Sequence, residues 1–229
     1  VRLGAVLVGL FTATEALLGA ALVLFGWTAQ NALAPSTAAH LVNTFLLLAA
    51  LALTAHWAAG GRPLQLHEQG WATWALALAL IAGLALGVSG AITALGDTLF
   101  PAGSLATGVQ QDFSAGANIL IRLRVLHPIF AVATAAYLFV VARLLLAVRP
   151  RAGAQRLTTV LSAVLAVQLI AGAVNVALLA PIWLQIVHLL LADLTWITLV
   201  LLAAIFLAEP AAAAQIIQFP ASAPHWRHE

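Results

Sequence analysis

Residues 168–196 read QLIAGAVNVALLAPIWLQIVHLLLADLTW. The run holds no Lys or Arg and a single acid, Asp193, yet it carries Gln168, Asn175, Gln185 and His188. About 20 apolar residues in a helix cross the hydrocarbon core of a bilayer, and Ala180-Pro181 breaks this run near its middle. It therefore reads as the end of one membrane span, a turn, and the start of the next, with His188 a turn or two inside. A histidine and an acid in such a setting are not there by default, because ionisable groups inside a membrane are expensive to hold.

The rest of the chain has the same character. Of its 229 residues 64% are hydrophobic and 7% charged, and the mean hydropathy is +1.08. Soluble domains carry about 25% charged residues. Residues 69–96, 125–142 and 157–192 contain no charged side chain at all. These features define an integral membrane protein. The net charge of +2 does not suggest a nucleic-acid partner. All nine basic residues are Arg, set between apolar runs, where their use is topological. The absence of Cys excludes disulfides and thiolate metal sites. There is also no Met, even at position 1, so either the start codon is unusual or the natural N-terminus lies upstream of Val1. A signal peptide is not expected, because the first apolar run is too long and contains Glu15.

Apolar runs and polar breaks predict six helices, at roughly 4–27, 39–58, 70–95, 122–147, 157–180 and 184–207. The loop at 96–121 is rich in Gly, Ser, Asp and Gln and reads as a cap over one membrane face. The segment after Pro210 reads as an exposed tail. Under this topology Arg2, Arg62, Arg143, Arg149, Arg151, Arg156 and Arg227 share one side, leaving Arg122 and Arg124 on the other near Asp97 and Asp112. The positive-inside rule then places both termini in the cytoplasm. Trp27, Trp57, Trp71 and Trp183 fall near span ends, as interfacial aromatics do. His40, His127 and His188 each lie near the outer end of a helix, at similar depth in the outer leaflet. His56 lies at the opposite end, and His67, His225 and His228 lie in loops or the tail.

Two internal repeats frame these histidines. EALLGAALV (15–23) and QLIAGAVNV (168–176) share a polar residue, Gly-Ala four positions on and a Val three beyond the Ala, and a histidine follows in the next helix (His40, His188). A duplicated helix pair is the natural reading, and membrane proteins often build sites between repeats. The second match is H-x3-A-x2-T, which occurs at His127-Ala131-Thr134 and at His188-Ala192-Thr195. Residues at these spacings share one helix face. The alanine one turn beyond each histidine leaves space beside the ring, and the preceding helices carry matching small stripes, Gly83, Gly87 and Gly90 in one and Gly172 near Asn175 in the other, although small residues also serve helix packing in membranes.

Two such histidines facing each other across a helix bundle suit a haem iron with an imidazole on each axial side. Arg122 and Arg124, one turn outside His127, could pair with haem propionates or be ordinary interfacial arginines. The plain alternative for the histidines is a set of hydrogen-bonded interior residues with no cofactor. Glu15, Asp193, Gln168 and Asn175 read as structural hydrogen-bonding residues, the last two bridging helices.

At GVSGAITALGDTLFPAGSL, RLRVLHPIFA, NVALLAPIWLQIVHLLLADLTW and HLVNTFLLLAALALTAHW the chain resembles haem A synthase, over about Glu15 to Leu207. The resemblance implies eight helices in two related four-helix bundles. The bundle nearer the C-terminus holds a b-type haem between histidines that map to His127 and His188. The other binds haem O, whose methyl group is oxidised to the formyl of haem A, using a Glu-x-x-His and a second histidine that maps to His40. No Glu-x-x-His occurs in this chain. The first helix pair of the family would precede Val1, and Glu15, on the third family helix, is not the catalytic glutamate. Either the chain is N-terminally incomplete or it is a short relative.

The expected architecture is an all-α membrane protein of six spans, with residues 1–60 half of a substrate-haem bundle, 65–210 a four-helix bundle binding haem b, and 211–229 a cytoplasmic tail. His127, His188, Arg122 and Arg124 are expected to hold the haem b, and His40 the substrate haem, so that the first two histidines ligate iron and His40 is a further candidate; no catalytic residue is assigned. The expected setting is the inner (plasma) membrane, with haem O synthase, cytochrome oxidase or another membrane redox complex as candidate partners. The competing function is a bis-histidine haem b protein that transfers electrons without catalysing a reaction.

Overall fold

A computed structural model describes residues 1–25, 30–66 and 69–208. Seven helices account for nearly all of them: α1 (Arg2–Leu24), α2 (Gln30–Ala58), α3 (Trp71–Leu99), α4 (Leu105–Asp112), α5 (Ile119–Val148), α6 (Ala154–Ala177) and α7 (Ile182–Phe206). All but α4 are long and apolar enough to cross a membrane. A spanning backbone has no water to bond to and must satisfy its polar groups internally, which helices do. Among the described residues there is no strand, only an isolated antiparallel bridge between Leu64 and Ala208. The predicted Trp27, the loop residue His67 and the tail with His225 and His228 lie outside the described residues.

The spans match the sequence reading to within a few residues, with two differences. Helix α2 starts at Gln30 rather than near 39 and contains Pro35, which membrane helices tolerate because neighbouring groups re-satisfy the freed carbonyl. The cap at 96–121 is partly helical. Ser104 and Thr107 form a reciprocal capping box at the start of α4, and Asn118 caps α5 by accepting from the Leu120 N–H.

Helix packing follows a closed ring, α3 to α5 to α6 to α7 and back to α3, which sets α5 and α7 at opposite corners. α2 packs against α3 and α7, and α1 against α2. The dry core fills one end of the ring: Leu76, Leu138, Leu145, Leu161, Leu202 and Phe206 are all essentially inaccessible. At this end the Arg149 guanidinium donates to the Gln69 side chain and carbonyl at 2.7 and 2.9 Å, tying α5 to the turn before α3.

An aromatic joint docks the α1–α2 pair, with Leu41, Leu48 and Leu53 packed around it. Trp196 on α7 stacks on Phe45 of α2, ring centres 5.1 Å apart, and its indole N–H donates to the Phe45 carbonyl at 2.7 Å. Gly87 of α3 makes this joint close, because a Cβ there would stand 2.8 Å from the Phe45 ring. Trp196→Phe keeps a ring in the stack and removes the donor. It is expected to lower stability by about 1 kcal/mol, the net worth of one hydrogen bond, in thermal unfolding of the detergent-solubilised protein; an unchanged midpoint would show that the indole N–H contributes nothing to docking.

Candidate functional site

Toward the other end of the ring the inward residues become small or polar. His127 on α5 and His188 on α7 sit here, each in the N-terminal half of its helix and half-buried. The two histidines stand on opposite corners of the ring of helices. Each lies against a glycine of the helix before it. A Cβ on Gly90 of α3 would come within 3.1 Å of His127 Cε1, and a Cβ on Gly172 of α6 within 3.2 Å of His188 Cε1. Glycine at both positions serves packing rather than conformation: a Cβ would push each imidazole a few tenths of an ångström off the helix backbone it approaches.

The hydrogen bonds around the two rings differ. His127 Nδ1 is 2.8 Å from Ser89 Oγ, while that hydroxyl also lies 2.8 Å from the Leu86 carbonyl, to which it donates. His188 Nε2 faces the Gln168 side-chain amide at 3.3 Å, and its Nδ1 is buried without a partner. Thr93 Oγ1, Gln168 Oε1 and Asn175 Oδ1 are likewise buried with no hydrogen-bond partner. Buried polar atoms are normally paired, so such a set calls for a reason. Gln168 does bridge α6 to α7, as its sequence position suggested. Asp193 does not make the expected bond at Oδ1, which is buried and unpaired.

The turn that presents His188 is tight. Leu179 and Ala180 both adopt left-handed backbone, φ 60° and 52°, a conformation that costs roughly 1–2 kcal/mol per non-glycine residue. It is held by Ala180 N–H to Asn175 carbonyl, 2.8 Å, and by the Gln185 amide to the Ala180 carbonyl, 2.6 Å. Gln185 thus supports the turn just ahead of the histidine.

The third histidine of this depth, His40 on α2, faces α1 instead. Its Nε2 is 3.5 Å from Glu15 Oε1, and its Nδ1 is buried without a partner. Glu15 also accepts from Asn43 Nδ2 at 2.5 Å and Thr44 Oγ1 at 2.6 Å, and Thr14 donates to Asn43 Oδ1 at 2.6 Å. The sequence repeat acquires a physical meaning here. In both copies the polar residue meets the histidine of the following helix, Glu15 with His40 and Gln168 with His188. Aligning the repeats could have found both contacts; nothing in the sequence singled out Ser89.

The two candidate arginines have different surroundings. Arg124 is nearly buried and clamps two acids, Asp97 Oδ1 at 3.0 Å and Asp112 Oδ1 at 2.8 Å, with the Phe100 carbonyl at 3.4 Å. It thereby ties α4 to α3 and α5. Arg122 is exposed and donates one Nη2 to the Ala115 carbonyl at 2.7 Å.

Comparison with known proteins adds two findings. Two strains of Thermus thermophilus carry a protein named protoheme IX farnesyltransferase that is 50% identical to this chain over 205 residues, 88% of this chain and 34% of the relative. The chain thus spans about a third of the length of the curated relatives it matches. No solved structure matches it. The family of cytochrome oxidase assembly proteins matches residues 1–200. With six apolar spans and a match across most of its length, the chain belongs to the cytochrome oxidase assembly protein family, that of the haem A synthases.

Proposed function

We propose that this chain holds a b-type haem between His127 and His188 and takes part in oxidising the ring methyl of haem O to the formyl group of haem A. The observation that carries the haem reading is the matched pair of glycine-backed imidazoles on opposite corners of one four-helix bundle. The local chemistry fits a haem: neutral imidazole is the ordinary protein ligand to haem iron, and His188 Nδ1 and Gln168 Oε1 beside it are buried and unpaired.

Each residue then has a task. Gly90 and Gly172 let the imidazoles lie against the helix backbones and fix their planes. Ser89 orients His127. Thr93 on α3 and Gln168 and Asn175 on α6 supply hydrogen-bonding atoms along the inner faces of these helices. Arg122, at the outer end of α5, is the first choice for a propionate, since Arg124 would have to exchange a carboxylate to serve. Bound in this way, a b-type haem supplies one-electron transfer, which suits an oxidation that withdraws electrons in several steps.

For the substrate haem we assign His40, with Glu15, Asn43 and Thr44 as the network that sets its ring, on the half-bundle made by α1 and α2. Glu15→Ala takes the acceptor from one Asn43 N–H, while Thr44 Oγ1 keeps the His40 carbonyl and Asn43 Nδ2 the Phe11 carbonyl. It is expected to reduce stability by roughly 1–3 kcal/mol in denaturation of the purified protein; an unchanged midpoint would remove the network from this account. Both termini are placed in the cytoplasm and the haem layer in the outer leaflet of the plasma membrane. The relatives' printed name, protoheme IX farnesyltransferase, supports a haem-related substrate. Cytochrome oxidase is the destination of the product.

The test is production of haem A. Cells that lack haem A synthase but make haem O are expected to accumulate haem A, read by extraction and mass spectrometry, when given the full-length gene. Haem O left unconverted while the protein carries a low-spin haem b would replace this reading with that of a non-catalytic electron carrier.

A further inference from the structure

The two histidine sites share a glycine backing but differ in their hydrogen bonds: Ser89 meets His127 at Nδ1, whereas the Gln168 amide meets His188 at Nε2, a contact that iron would have to displace. Each ring lies on a glycine of the preceding helix with Cε1 closest, at 3.1 Å for Gly90 and 3.2 Å for Gly172. The residue before the glycine is Ser89 in one site and Ala171 in the other. Where Ser89 stands, His127 Nδ1 has a partner at 2.8 Å; where Ala171 stands, His188 Nδ1 is buried and has none. Alanine at 171 carries no hydroxyl where serine at 89 has one.

The direction of the Ser89 bond follows from its second contact. A hydroxyl has one proton to give, and Ser89 gives it to the Leu86 carbonyl at 2.8 Å. With that proton on the Leu86 carbonyl, its oxygen is placed to accept from His127 Nδ1–H, the tautomer in which Nε2 keeps its lone pair. The ring is held in the tautomer that a metal needs, in the orientation set by Gly90. Metal-bound histidines ordinarily donate their other ring N–H to an acceptor, which fixes the tautomer and strengthens the ligand as a donor.

We infer that Ser89 is a positioning residue that makes the two axial ligands unequal, with His127 the pre-set, stronger donor and His188 the weaker one. The inference rests on the bis-histidine haem reading above. A stronger imidazole donor favours ferric over ferrous iron and lowers the midpoint potential. The difference between Ser89 and Ala171 thus becomes a setting of that potential, built on helices rather than loops.

The test compares three variants with the wild-type chain, purified from membranes with bound haem: Ser89→Ala, Ala171→Ser, and both together. Ser89→Ala is expected to weaken haem retention by roughly 10–100-fold, the usual effect of removing such a partner, and to move the midpoint potential upward in redox titration. Ala171→Ser, which gives His188 Nδ1 the acceptor it lacks, is expected to move the potential downward, and the double variant to return toward the wild-type value. Opposite shifts distinguish this role from a packing role, which would not invert between the sites. A haem-bearing Ser89→Ala protein with unchanged potential and retention overturns the inference. Should Ser89→Ala not accumulate, an Ala171→Ser protein with unchanged potential overturns it equally. A wild-type protein with no haem at all overturns the haem reading itself, a distinct outcome visible before any variant is made.

Discussion

His127→Ala and His188→Ala are each expected to abolish the low-spin haem spectrum of the purified protein, while His56→Ala leaves it intact. The expectation follows from position. His127 and His188 occupy the layer where the dry core of the ring ends, each with a glycine backbone behind it. No other histidine among the described residues of α3, α5, α6 or α7 could substitute for either one. Loss of a supporting partner alone weakens metal binding roughly 10–100-fold, and loss of the ligand itself should exceed that. His56 lies toward the opposite end of α2, against Gly61. A normal haem spectrum in either of the first two variants would remove that residue from the site.

The second large effect is expected at Arg124. Its guanidinium holds Asp97 and Asp112 within 3.0 Å, and 11% of its side chain is exposed. Removing one partner of a buried ion pair typically costs about 3–5 kcal/mol, because the remaining charge stays uncompensated. Arg124→Ala leaves two carboxylates facing each other, but both keep about a fifth of their surface exposed, 22% and 19%. A loss near the low end, about 3 kcal/mol, is therefore expected, with faster proteolysis between α3 and α5 as α4 loses its tie. Arg124→Lys keeps the charge but not the planar fork that reaches both acids, and should fall between. An unchanged unfolding midpoint and cleavage rate for Arg124→Ala would mean that α4 is held by other contacts.

How far these features could be read from the sequence depends on the physics behind each. The spans were legible because lipid leaves a helix no alternative and imposes its length. The start of α2 was not, since Pro35 reads as a boundary by the rules of soluble helices and is tolerated here. Helix α4 was hidden in a polar loop because its capping box uses Thr107 where Glu or Gln is the usual signal. The histidine layer was legible through repetition, H-x3-A-x2-T twice and the paired polar residues Glu15 and Gln168. The clamp on Arg124 was only half legible: Asp97 and Asp112 were seen to be near, but not that they would occupy the guanidinium. Ser89 was invisible, since one serine in a helix of alanine and glycine carries no signal until its neighbour across the bundle is known.

The central claim is that α5 and α7 present His127 and His188 to a single iron. Near-infrared magnetic circular dichroism of the ferric protein tests it most directly, because the charge-transfer band of low-spin haem reports the axial ligand pair. The expected result is the band of two neutral imidazoles, at one haem per chain, absent from both histidine-to-alanine variants. A high-spin spectrum, a band of any other ligand pair, or the two-imidazole band persisting in either variant would contradict it.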